Sequence, residues 1–106
     1  MKFNITIDQQ PFELELPEGI IGEAQEFITD MDADFNRGVQ LGRHWLENPS
    51  DEQRCQIAAN KIVTAMHQEN IRLFYLMAAY VLSKFPDLKM VTVNSDNEID
   101  EIDIMQ

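Results

Sequence analysis

Acidic side chains are the first candidates for chemistry in this chain. Glu23, Asp30 and Asp34 fall close in azimuth on one helical flank, with Glu26 farther out. Like charges at i,i+4 weaken a helix by about 0.2–0.5 kcal/mol per pair, so such a row calls for compensation. A metal is one answer. A carboxylate-bridged di-iron centre needs Glu-x-x-His on two helices, and that spacing does not occur here. Asp30, Asp32, Asp34 and Asn36 alternate as in the start of a calcium loop. That loop requires glycine where Phe35 stands and glutamate where Leu41 stands.

Basic residues are a second answer. Arg54, Lys61 and Arg72 share nearly one azimuth on a later helical stretch. In an antiparallel helix hairpin turning near residues 48–49, Asp34 falls opposite Lys61, and Glu23 or Glu26 opposite Arg72. This predicts a structural ion-pair ladder, each exposed pair contributing about 0–1 kcal/mol. Neither a metal nor a cofactor is expected.

Glu69 lies inside the apolar stripe of Ile62, Met66, Leu73 and Leu76. A lone buried carboxylate is costly, so it must pair, protonate or face a polar gap. Three roles fit it: a carboxylate reaching the stripe edge, a polar layer setting the register of a dimer, or a general base in a small pocket. Cys55 falls on an apolar stripe near a helix start, where a packed, inert thiol is the expectation, since no histidine is spaced to activate it. His44 and His67 project away from their stripes and read as surface residues. No catalytic constellation is present, and the sequence points away from an enzyme.

These residues need elements to hold them. Phe3, Ile5 and Ile7, then Phe12, Leu14 and Leu16, alternate with polar residues and predict a β-hairpin. A loop at Gln9-Gln10 would pair Ile7 with Phe12, Ile5 with Leu14 and Phe3 with Leu16. After Pro17-Glu18-Gly19 a helix is predicted from Ile20 to Glu47, with Ala24, Ile28, Met31, Phe35, Gly38, Gly42, Trp45 and Leu46 on one stripe. Gly38 and Gly42 allow two readings: close approach of a neighbouring helix, or a break near Gly38.

Between Pro49 and Pro86 there is no glycine or proline. Ser50-Asp51-Glu52-Gln53 reads as a capping box. A straight helix over 50–85 would be roughly 54 Å long, too long for one small domain. It must bend, protrude or be shared with another chain, and any bend is expected at Glu69-Asn70. Residues 73–82 are apolar on all sides, so Phe74, Tyr75, Met77, Ala78 and Val81 are candidates for an interaction surface, and a homodimer is expected. Residues 88–93 predict a third strand and 94–97 a turn. Ile99, Ile102 and Ile104 form either a fourth strand or part of an acidic tail.

The expected architecture is α+β: an N-terminal β-hairpin, a long antiparallel helix hairpin, and C-terminal strands completing a small antiparallel sheet. Residues 1–95 form a single domain, and 96–106 an acidic C-terminal tail or edge strand. The formal net charge of −11 disfavours nucleic acid and anionic membranes and suits a basic protein partner. The first residues lack a signal peptide's apolar run, one cysteine allows no intrachain disulfide, and the run at 73–82 is too short to span a bilayer. The chain thus reads as soluble and cytoplasmic.

Function divides three ways. The first reading is a non-enzymatic protein-interaction or regulatory protein acting as a homodimer. The second is a small-ligand or metal-binding protein using Glu69, Asp30 and Asp34. The third is an acidic decoy that mimics nucleic acid.

Overall fold

Paired left-handed residues open the fold. Asp8 and Gln9 have φ of 48° and 71°, the conformation of a type I′ turn, which matches the twist of two joined strands. They connect β1 (Lys2–Ile7) to β2 (Gln10–Glu15), with Ile5 opposite Phe12 and Phe3 opposite Leu14. The turn therefore lies one residue earlier than the sequence suggests, because Asp tolerates positive φ better than a second Gln does. The register moves by two, so parity is kept and the apolar residues still share one face.

The computed structural model describes residues 1–41, 43–94 and 101–105. It is α+β, with four helices and six strands among these residues. The main sheet has the order β2-β1-β5-β6, with β5 at Met90–Asn94 and β6 at Glu101–Met105. β1 pairs with β5 in parallel, Ile5 beside Val91 and Ile7 beside Val93, so the sheet is mixed rather than wholly antiparallel. β6 contains Ile102 and Ile104 and pairs antiparallel with β5. Ile99 and the predicted turn beyond Asn94 lie outside the described residues.

The predicted helix over 20–47 is instead three pieces. α1 (Ile20–Glu23) and α2 (Gln25–Asn36) carry the expected stripe as far as Phe35. Gly38 then takes φ 100° and donates its N–H to the Phe35 carbonyl at 2.9 Å, the usual glycine position just past a helix C-terminus. β3 (Val39–Leu41) and β4 (His44–Leu46) follow as a separate small hairpin. A Cβ at Gly38 would lie 2.6 Å from the Trp45 ring. Gly38 is thus a stop signal and a seat for an indole, not a helix–helix contact. Trp45, placed by its spacing on the buried stripe, is 58% exposed. Gly42 lies outside the described residues.

Ser50 closes the predicted capping box: its hydroxyl accepts from Gln53 N–H at 3.2 Å, and its own N–H donates to the Gln53 side chain at 2.9 Å. α3 (Asp51–His67) starts there. The chain breaks at Gln68–Asn70, and α4 (Ile71–Lys84) begins with the Asn70 side chain accepting from Leu73 N–H. The long stretch is therefore a folded helix pair. α3 packs most extensively on α4, so the helical hairpin lies one element later than its predicted place.

α4 is enclosed as its composition requires. Phe74 and Met77 to Leu82 are buried among α3, α1 and the sheet residues Phe3, Ile5, Val91 and Val93. Met77, Ala78 and Val81, candidates for an exposed interaction surface, lie inside the chain's own core. Among the described residues, no helix is long and apolar enough to cross a membrane.

Candidate functional site

Two places concentrate polar chemistry. The first is centred on Asp32 of α2. Its Oδ1 accepts from the Tyr80 hydroxyl at 2.7 Å and from Arg54 Nη1 at 3.0 Å, and its Oδ2 accepts from Lys84 Nζ at 2.7 Å. Arg54, 7% exposed, also donates to the Pro49 carbonyl through Nε and to the Asn36 and Asn48 side chains through Nη2. Its guanidinium lies 5.5 Å from the centre of the Phe35 ring.

Buried charges persist when paired and hydrogen-bonded, and this one is both. Burial pushes the Asp32 carboxyl up, but hydrogen bonds from Lys84, Tyr80 and Arg54 outweigh it and hold the group below its ordinary value. Burial, reinforced by the Asp32 charge, raises the Tyr80 hydroxyl well above its own. The cluster ties α2, α3, α4 and the Asn48-Pro49 turn together. Four of the five Arg54 N–H donors are spent on Asp32, Asn36, Asn48 and Pro49, which makes this node a clamp between elements.

The second place is an open groove of about 330 Å³ where α3 ends, α4 begins and β2 passes. Leu14, Ala65, Met66, Ile71, Phe74 and Tyr75 supply its apolar lining, and Glu15, Glu69 and Asn70 its polar edge. Among the described residues no cationic side chain lines it. Ile71 is 63% exposed there.

Glu69 holds an unusual backbone position in this groove. Asn70 N–H donates to the Ala65 carbonyl at 2.8 Å and Glu69 N–H to the Met66 carbonyl at 3.2 Å, the two bonds of a Schellman cap. The residue between them must be left-handed, and Glu69 has φ 56°. Glycine is the usual occupant, as Gly38 is at the end of α2. A side chain there costs about 1–2 kcal/mol. α3 thus carries a strained glutamate where glycine would relax the backbone.

Other candidate residues are dispersed. Asp30 and Asp34 are exposed on α2, and neither lines the groove that holds Glu69. Among the described residues no three His, Cys, Asp or Glu side chains cluster as a metal site. The predicted ladder does not form: Asp34 reaches Arg37 at 4.0 Å, and no ion pair among the described residues joins Glu23, Asp34, Lys61 or Arg72 across helices. Its premise, α2 packed along α3, fails because α2 ends at Asn36. Arg54, read as one rung of that basic row, turns inward to Asp32 instead. His44 and His67 are exposed.

Cys55 is fully buried, and burial, with the Asp51 charge adding to it, pushes its thiol up to about 12. A neutral, covered thiol is a poor nucleophile. A disulfide reagent should therefore label the native chain only as fast as the chain opens. Labelling at the rate of the urea-unfolded protein would contradict the packing.

No protein family matches this chain, and no curated protein or solved structure matches it either.

Proposed function

We propose that this chain is a non-enzymatic interaction module whose groove between β2 and the α3–α4 junction receives a segment of a basic protein partner. The strained Glu69 carries this reading. Backbone strain concentrates at functional sites, where a side chain is needed in spite of its cost. Here the side chain is an acid on the edge of an apolar groove that no cationic side chain among the described residues lines. The apolar lining supplies contact area, and Glu69 supplies preference for lysine or arginine.

A second copy of the chain is the less suitable occupant. The core encloses Phe74, Met77, Ala78 and Val81, four of the α4 residues that suggested self-association, and two chains of net charge −11 would bring like-charged groove edges together.

Glu69→Gly separates stability from binding. The variant should be more stable by about 1 kcal/mol in urea unfolding, because glycine relaxes the cap. It should also bind basic-apolar peptides, selected from a random library displayed against the intact chain, at least about tenfold more weakly. Failure to select any peptide, or selected peptides indifferent to Glu69→Gly, would remove the proposal.

A further inference from the structure

The groove borders the free edge of the main sheet. Among the described residues β2 has β1 on one side and no strand on the other. Leu16 N–H donates to the Met1 carbonyl at 2.7 Å. Backbone groups alternate along an antiparallel strand, so Phe12 and Leu14 also face β1, while Pro11, Glu13 and Glu15 direct theirs to the open edge. Pro11, which has no N–H, occupies an outward position where a missing donor costs the sheet nothing. The N–H groups of Glu13 and Glu15, and the carbonyls of all three residues, make no backbone bond to another described segment.

The geometry points to strand addition: we propose that the partner segment binds extended along β2, hydrogen-bonding to Glu13 and Glu15 and placing alternate side chains in the groove. This deepens the interaction reading above and rests on it. Side chains alternate across an added strand. Those on the helix side lie over Leu14, Tyr75 and Ile71 and are apolar, save one lysine or arginine that meets Glu69 at the groove edge. Those on the other side lie beside Glu13 and Glu15 and are lysine or arginine.

The side chains of Glu13 and Glu15 bridge to Lys2 Nζ at 3.1 Å and to the N-terminal amine at 3.0 Å. These pairs are well exposed, so they are weak and exchange readily for a partner's cations. The same acids disfavour β2 pairing with β2 of a second copy, which would set Glu13 and Glu15 against their own counterparts.

Mode and site are tested together with the selected peptides. Their sequences should alternate apolar residues with Lys or Arg. The Glu13 and Glu15 amides should gain protection from hydrogen exchange when the peptides bind. Glu13→Pro removes one outward donor and should weaken binding about tenfold, while keeping the urea midpoint, since a second outward-facing proline suits an edge strand. N-methylating alternate peptide amides should weaken binding to the unaltered chain in the same way, which tests the mode even if the proline variant misfolds. Peptides that bind helically, lose affinity with Glu69→Gly and leave both amides unprotected would overturn strand addition while leaving the interaction reading intact. A dimer in sedimentation equilibrium with both amides protected in the absence of peptide would overturn the basic partner in favour of a second copy.

Discussion

Replacing Asp32 with alanine should destabilise the fold by about 3 kcal/mol, because it strips a buried arginine of its carboxylate partner. The loss has three parts. Arg54 keeps Asn36, Asn48 and Pro49 as acceptors but loses its counter-charge. The fully buried Tyr80 loses the acceptor for its hydroxyl, and Lys84 loses its anchor. Urea unfolding should show a lower midpoint with an unchanged slope. Asp32→Asn retains an acceptor oxygen and should fall between the two. A loss under about 1 kcal/mol for the alanine variant would mean that the neutral acceptors alone satisfy Arg54.

The same carboxylate sets a pH dependence. Its folded pKa is depressed, so the unfolded chain takes up the proton first as pH falls. The stabilisation is complete above the ordinary carboxylate range and is lost as pH falls through the lower folded value. Asp32→Ala should flatten this part of the acid limb, and an unchanged acid limb would assign the dependence to other groups.

Phe74→Ala is expected to cost about 3–5 kcal/mol, the range for removing a buried aromatic ring. Phe74 is 6% exposed and meets the Phe3 ring edge-on, with centroids 6.2 Å apart. It also lines the groove, so one residue is both core wall and groove wall. Its neighbour Ile71 is the control: it lines the same groove but is largely exposed, and Ile71→Ala should change stability by no more than about 0.5 kcal/mol. Equal losses from the two substitutions would place Phe74 at the surface and contradict the packing of α4 against the sheet.

Local signals in the sequence were legible where the physics is local. Ser50 and Gln53 cap a helix because their groups are three residues apart. The break at Glu69-Asn70 follows from an apolar pattern that changes there. Alternation in 3–7 and 12–16 marks the strands whichever residues turn between them. The first helix was misread beyond Phe35 because a helical stripe continues on paper through Gly38 to Leu46, while the backbone needs a glycine stop and then a short hairpin. Arg54 was read by azimuth as surface charge. Its partner Asp32 lies 22 positions away on another helix, and no periodicity links the two. The groove had no sequence signal of its own: Leu14, Ala65 and Tyr75 belong to separate elements, and only packing brings them together. Glu69 stands out in the sequence by its place in an apolar stripe, and in the structure by its left-handed backbone at an exposed cap, which no spacing signals.

The parallel pairing of β1 with β5 has a consequence for how the chain comes to be folded. The two central strands of the sheet are adjacent in space but lie at opposite ends of the described chain, with Asn4 donating to the Lys89 carbonyl across 85 positions. A two-stranded hairpin alone is marginal in water. On the ribosome, β1 and β2 therefore emerge with an uncovered apolar face and wait until β5, some 85 positions later, has been made. Ordering of the sheet is a late event, governed by closure of a long loop rather than by how fast either helix forms.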